Sequence, residues 1–123
     1  MTKRSRYSYS DTIAKLKEAM AHGGNTVFAT IDQAAAAEEV GLALRPTTLI
    51  IFGNPKAGTP LMAAFPLIAL ELPLKVLVWE ENDKVNVAYS PMLEIAARYH
   101  ATGVDARVAA IDHALETLTN GVA

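Results

Sequence analysis

Few residues in this chain combine a reactive type with a useful spacing, and the loop Gly53-Asn54-Pro55-Lys56-Ala57-Gly58-Thr59 comes first among them. Gly53-x-x-x-x-Gly58-Thr59 approaches the phosphate-binding loop that follows a strand and opens a helix. The lysine that such a loop needs directly after its second glycine is missing, and Pro60 follows Thr59. Proline also removes one of the helix N-terminal N–H groups that would face a phosphate. Nucleoside triphosphate hydrolysis is therefore rejected. A weaker use survives: N–H groups at a helix start on Thr59, with Asn54 and Lys56, would suit a small anion or metabolite. Turn geometry alone also explains these glycines and prolines, and it is the simpler account.

Lys75 is the second candidate. Period-two alternation puts it on the face of Leu77 and Trp79, where a lysine needs a partner or an escape route to water. Burial would lower its pKa and make it a base or an imine-forming amine. The plainer reading has its stem on Trp79 and its ammonium in solvent, or paired with Glu71 or Glu80. Trp79 and Tyr89 lie on the same predicted hairpin and are expected to meet as core or interface. His22 and His100 fall at predicted helix C-termini, where a cation suits the dipole. His113 and Glu116 are neighbours on a helix, but two ligands do not make a metal site. No Gly-x-Ser-x-Gly elbow marks a serine nucleophile. No catalytic residue, metal ligand set or cofactor is assigned, and Asn54, Lys56, Thr59, Lys75 and Tyr89 stand as ligand-binding candidates.

Composition narrows the class of partner. With 123 residues there is room for one core, so residues 1–123 are expected to form one domain. Apolar residues make up 51% and charged residues 20%, which describes a globular chain and excludes a disordered one. Eleven basic against thirteen acidic side chains give no field for a phosphate backbone, so nucleic acid is not an expected partner. Without cysteine there is no disulfide, no thiolate metal site and no thiol nucleophile. The basic start Met1 to Arg6 leads into Tyr7-Ser8-Tyr9-Ser10-Asp11, not an apolar signal core. No apolar run approaches the roughly twenty residues that span a bilayer. A cytoplasmic chain without membrane contact is the expectation.

The elements that must position these residues follow from local pattern. Arg6 to Tyr9 alternates like a short edge strand, and Ser10 or Asp11 then caps a helix with Ile13, Leu16 and Met20 on one stripe. Gly23-Gly24 ends that helix. Asn25 to Ile31 reads as a strand, and Asp32 caps an alanine-rich helix that stops at Gly41. Thr47 to Phe52 is apolar on both faces and reads as an interior strand. Thr59-Pro60 looks like a cap with proline at the first helical position, and helix is expected to continue through Leu70. Leu74 to Glu80 and Lys84 to Tyr89 form a hairpin around Glu81-Asn82-Asp83. Ser90-Pro91 opens another helix to about His100. Val104, Val108, Ile111, Leu115 and Leu118 recur at helical spacing and give the last helix its apolar stripe.

The resulting order is β-α-β(4)-α with short helical insertions. It predicts an α+β fold: an antiparallel sheet of about five strands with helices on one face. The strand 74–80 is greasy on both sides, however, and each large side chain left wet forfeits roughly 1.5–3 kcal/mol. A symmetric homodimer is the expected cover for the second face.

Three segments in order, Leu49-Ile50-Ile51-Phe52-Gly53-Asn54-Pro55-Lys56, Gly58-Thr59-Pro60-Leu61-Met62 and Leu72-Pro73-Leu74-Lys75-Val76-Leu77-Val78-Trp79-Glu80, resemble the bacterial and archaeal family called domain of unknown function 302. The resemblance runs from Tyr7 to about His100. It implies a compact α+β fold related to that of the TATA-box-binding protein, commonly dimeric, with no established activity. Fold kinship of that kind carries no DNA binding with it. Where the family pattern has Asp-His, this chain has Asp32-Gln33, so any acid–base or metal role of that imidazole does not transfer. The leading expectation is a non-catalytic, homodimeric protein that binds a small molecule or anion. The alternatives are an enzyme with Lys75, Asn54 and Tyr89 in one polar pocket, and a structural or protein-interaction module.

Overall fold

Alternation of side chains along three central strands divides this structure into a dry half and a bare half. In the computed structural model, which describes residues 1–123, the strands are β1 (Thr2–Arg4), β2 (Thr26–Asp32), β3 (Thr47–Gly53), β4 (Leu74–Glu81) and β5 (Lys84–Ala88). They form one antiparallel sheet in the order β1-β5-β4-β3-β2. Ile50 and Phe52 of β3, Val76 and Val78 of β4, and Val85 and Val87 of β5 are all buried. They lie beneath helices that contribute Leu16 and Met20, Leu61, Met92 and Ile95, and Val108, Ile111, Leu115 and Leu118. The intervening residues Leu49, Ile51, Leu77 and Trp79 are only half-buried, on the face that no helix covers. This is the α+β arrangement that the order of elements predicts.

The β4–β5 hairpin closes on a two-residue turn. Asn82 and Asp83 both adopt positive φ, 54° and 61°, as the tightest hairpin turn requires and as short polar side chains tolerate. Leu77 then faces Ala88 and Trp79 faces Asn86.

The helices are α1 (Tyr9–His22), α2 (Gln33–Glu39), α3 (Pro55–Ala64), α4 (Met92–Arg98) and α5 (Asp105–Asn120), with a 3₁₀ helix at Pro66–Leu70. Several expected boundaries move. The helix expected to continue through Leu70 ends at Ala64, because Phe65, which precedes Pro66, leaves helical geometry, and Pro66–Leu70 is a separate 3₁₀ helix. The first strand is Thr2–Arg4 and not Arg6–Tyr9, because the Ser8 hydroxyl accepts the Asp11 N–H at 3.1 Å and draws Tyr9 into α1. The third helix begins at Pro55 and not at Thr59-Pro60. The Asn54 side chain accepts the Lys56 N–H at 3.0 Å, so Asn54-Pro55 is the working cap-and-proline pair and Pro60 lies inside the helix. By contrast, Asp32 caps α2 through the Ala35 N–H at 2.9 Å, where the sequence puts it.

The α4 start is also not capped by Ser90. Asp112 reaches across from α5 and its carboxylate accepts the N–H groups of Met92 and Leu93 at 2.6 and 2.9 Å. One residue thus satisfies two orphan donors and ties the last two helices together. Asp112→Ala is expected to cost about 1–3 kcal/mol in thermal or urea unfolding, because both donors lose a charged acceptor. Asp112→Asn keeps one acceptor oxygen and should fall between. A wild-type melting curve from the alanine variant would refute the bridge.

Candidate functional site

The end of β3 and the first turns of α3 form one side of a cleft of about 370 Å³. Asn54 and Thr59, two of the sequence-derived candidates, line it together with Gly53 and Gly58. Opposite them stands the flank of α5 with Arg107, Ala110, Ile111 and Ala114, and Phe28, Met62, Leu72 and Leu74 complete the apolar walls. Three glycines and three alanines are among its seventeen lining residues. A methyl group on Gly58 would already touch Leu72 Cδ1 at 3.6 Å and Met62 Cε at 3.7 Å.

Anion binding by the helix start does not fit this geometry. Pro55 has no N–H, the Lys56 N–H is taken by the Asn54 side chain, and those of Ala57 and Gly58 both close on the Asn54 carbonyl at 2.9 and 3.0 Å. No donor of the first turn is left pointing outward. Thr59 lies within the helix and not at its cap. Lys56 is exposed and does not line the cleft.

Lys75 and Tyr89 belong elsewhere, to a second cleft of about 320 Å³ that also includes Leu49, Leu77 and Ser90. The Lys75 ammonium is exposed and donates to the backbone carbonyls of Glu71 and Pro73 at 3.1 and 3.2 Å. It has taken the escape route open to a long stem near a strand end. Asn54, Lys75 and Tyr89 therefore do not converge. Tyr89 and Trp79 do not meet either: Ala88 faces Leu77 on the bare side, so Tyr89, one residue on, turns under the helices. Burial there pushes the Tyr89 phenol above its ordinary pKa and keeps it neutral.

The rim of this second cleft carries a cluster that spacing alone does not disclose. Glu71 Oε1 accepts the Tyr99 hydroxyl at 2.7 Å and an Arg98 N–H at 2.8 Å. The Tyr99 hydrogen bond first, and Arg98 second, hold the Glu71 carboxyl below its ordinary pKa. The same Glu71 bond raises the Tyr99 phenol. The Glu71 contribution to stability is therefore present above its unfolded pKa and lost as pH falls through the lowered folded value. The Tyr99 contribution is present below the ordinary phenol range and lost as pH rises through the raised value. Tyr99→Phe should move the Glu71 carboxyl titration up toward its usual range, read by carboxyl-resolved NMR. An unmoved titration would show that the bond does not form in solution.

His113 and Glu116 are exposed on α5, and no group of three or more His, Asp or Glu side chains comes together anywhere in the chain. No helix is long and apolar enough to cross a membrane. Arg107, Ala110 and Ala114 escape a sequence reading of the site. Their one signal is a spacing of three and four beside the buried stripe of α5, with two small side chains where a bulky one would close the cleft.

A helix-covered antiparallel sheet, bare on its far side and with a cleft at the end of β3, defines a small α+β fold. The chain belongs to the family described as domain of unknown function DUF302, whose model matches residues 1–119. The fold is that of the crystal structure of an uncharacterized conserved DUF302 protein from Bacillus stearothermophilus. The TM-score is 0.93 at 18% identity, covering 100% of this chain and 97% of the other. Among curated proteins the chain is similar to the fluoride-specific ion channel FluC 1 of Brucella suis, 40% identical over 110 residues, which is 89% of this chain and 43% of that one. FluC 1 of Brucella abortus is also 40% identical over 110 residues, covering 40% of its length. The chain thus spans about two-fifths of the length of the curated relatives it matches.

Proposed function

We propose that this chain is a non-catalytic, homodimeric binding domain that pairs through the bare face of its sheet and takes a small molecule in the cleft between α3 and α5. The observation that carries the reading is the cleft itself. It joins Asn54 and Thr59 to a mainly apolar lining from four separate stretches of chain, the usual build of a small-molecule site. The dimer rests on Leu49, Ile51, Leu77 and Trp79, which form a contiguous apolar strip with nothing over it. Ile31 extends the strip on β2, opposite Leu49, and is 38% exposed.

An enzyme built on Lys75, Asn54 and Tyr89 has no such support, since these residues occupy two different clefts and the lysine is exposed. The similarity to part of longer chains named as channels suits a self-contained unit, because such a unit folds and binds whatever it is joined to. A thermal-shift panel of carboxylates, phosphates, nucleotides and neutral apolar compounds tests the ligand half. A true ligand at a hundredfold excess over Kd adds about 2.7 kcal/mol, and silence across the whole panel would remove the binding role.

A further inference from the structure

The cleft between α3 and α5 also has a sign and a size. Of its seventeen lining residues none is an aspartate or a glutamate, and the one charged side chain is Arg107. Arg107 makes no ion pair and no hydrogen bond, unlike Arg98 and Arg45, each of which holds a carboxylate. The two amides beside the cleft are each engaged at one end only. Asn54 accepts from Lys56, and Asn25 donates to the Met20 carbonyl at 3.2 Å. A ligand therefore meets one unpaired cation, the Thr59 hydroxyl, the Asn54 amide N–H groups and the Asn25 amide oxygen, and otherwise mainly apolar surface. That pattern disfavours sugars, which need many free polar partners, and polyanions, which need more than one cation. A volume of about 370 Å³ lies at the low end of small-molecule sites and excludes long acyl chains lying fully inside.

We infer that the cleft binds a small amphipathic carboxylate, its apolar body between Met62, Leu72, Leu74 and Ile111 and its head group on the Arg107 guanidinium. The inference rests on the binding reading above and adds the ligand's chemical class. Glycine at 58 and alanine at 110 and 114 are then what keeps the seat open, and Arg107 at the mouth supplies a planar fork that matches a carboxylate. An exposed ion pair of this kind steers and selects more than it tightens.

The test uses octanoate, octanol and octylamine, titrated calorimetrically into the wild-type chain and into Arg107→Gln and Ala114→Trp. Both substitutions are at exposed positions of α5, so the core is untouched, and Ala110→Phe provides a second filling variant. Octanoate is expected to bind saturably and up to about fivefold tighter than octanol, with octylamine no better than octanol. Arg107→Gln should remove the octanoate advantage and leave octanol unchanged, and both filling variants should abolish binding of either. The advantage should also shrink as salt rises. Equal binding of octanoate and octanol, or an advantage that survives Arg107→Gln, would overturn the carboxylate assignment and leave the cleft as a binding site. Octanoate binding that persists in both filling variants would overturn the assignment and the cleft together. No binding by any of the three probes would also overturn this inference, while a hit of other chemistry in the wider thermal-shift panel would keep the binding role.

Discussion

Leu77→Asp is expected to run as a monomer under conditions where the wild-type chain is a dimer. Leu77 lies on β4, the central strand of the five, and faces Leu49 on one neighbour and Ala88 on the other, all on the side without helices. If two copies pair there, two-fold symmetry brings the new carboxylate in twice and strips both copies of water. An uncompensated buried charge costs about 3–5 kcal/mol, so the dissociation constant should rise by at least roughly a hundredfold. In a free monomer the same position faces solvent. The variant should therefore keep its circular dichroism spectrum and unfold cooperatively. Light scattering over a concentration series decides the matter. A wild-type chain that is already monomeric, or an aspartate variant that still dimerises, would sink the proposed pairing.

How far the sequence reaches depends on whether the determining contact is local. The 74–89 hairpin, the apolar stripe of α5, the Asp32 cap and the glycine stop after α1 are all legible, because each is decided within a few residues of chain. β1 is not. Thr2-Lys3-Arg4 has no apolar rhythm, and its place follows from pairing with Asn86 to Ala88 far along the chain. Its middle residue then carries an ammonium to Thr119 and Asn120 at the end of α5, at 2.8 and 2.7 Å. A charge at a helix C-terminus, not hydrophobic burial, helps fix that edge strand. The α4 cap is hidden for the same reason, since Asp112 lies twenty residues beyond the N–H it accepts. At Asn54-Pro55 and Thr59-Pro60 the chain offers two cap-and-proline pairs five residues apart, and spacing alone does not choose between them.

The site divides along the same line. Asn54 and Thr59 are visible because a glycine-flanked turn after an apolar strand is a local signal. The residues that turn this loop into a cleft, Phe28, Arg107, Ala110 and Ala114, arrive from β2 and α5 through tertiary packing. Parity is a second hidden quantity. Trp79 and Tyr89 share a hairpin, yet the Asn82-Asp83 turn sets a register that sends their side chains to opposite faces. Lys75 keeps the parity read from its sequence, and its exposure follows from its place near the strand's end.

Phe52→Ala should lower the melting temperature by roughly 10–20 °C. Phe52 is 2% exposed on the helix side of β3, paired with Leu74 on one strand and Val27 on the other. Emptying such a site removes about 3–5 kcal/mol, from a total that for chains of this size is only about 5–15 kcal/mol. The neighbouring substitution Ile51→Ala gives the contrast, because Ile51 lies one residue away on the bare face and is half-buried. In a Leu77→Asp background, where no partner covers that face, Ile51→Ala should cost under about 1 kcal/mol, since the side chain it removes is already partly wet. Phe52→Ala should cost its full amount there too, because the helices of its own chain supply the cover. In the wild-type background the Ile51→Ala penalty should grow and vary with protein concentration, as any contact between subunits must. Penalties at Ile51 that are equal in both backgrounds would mean that no partner ever covered this side of the sheet.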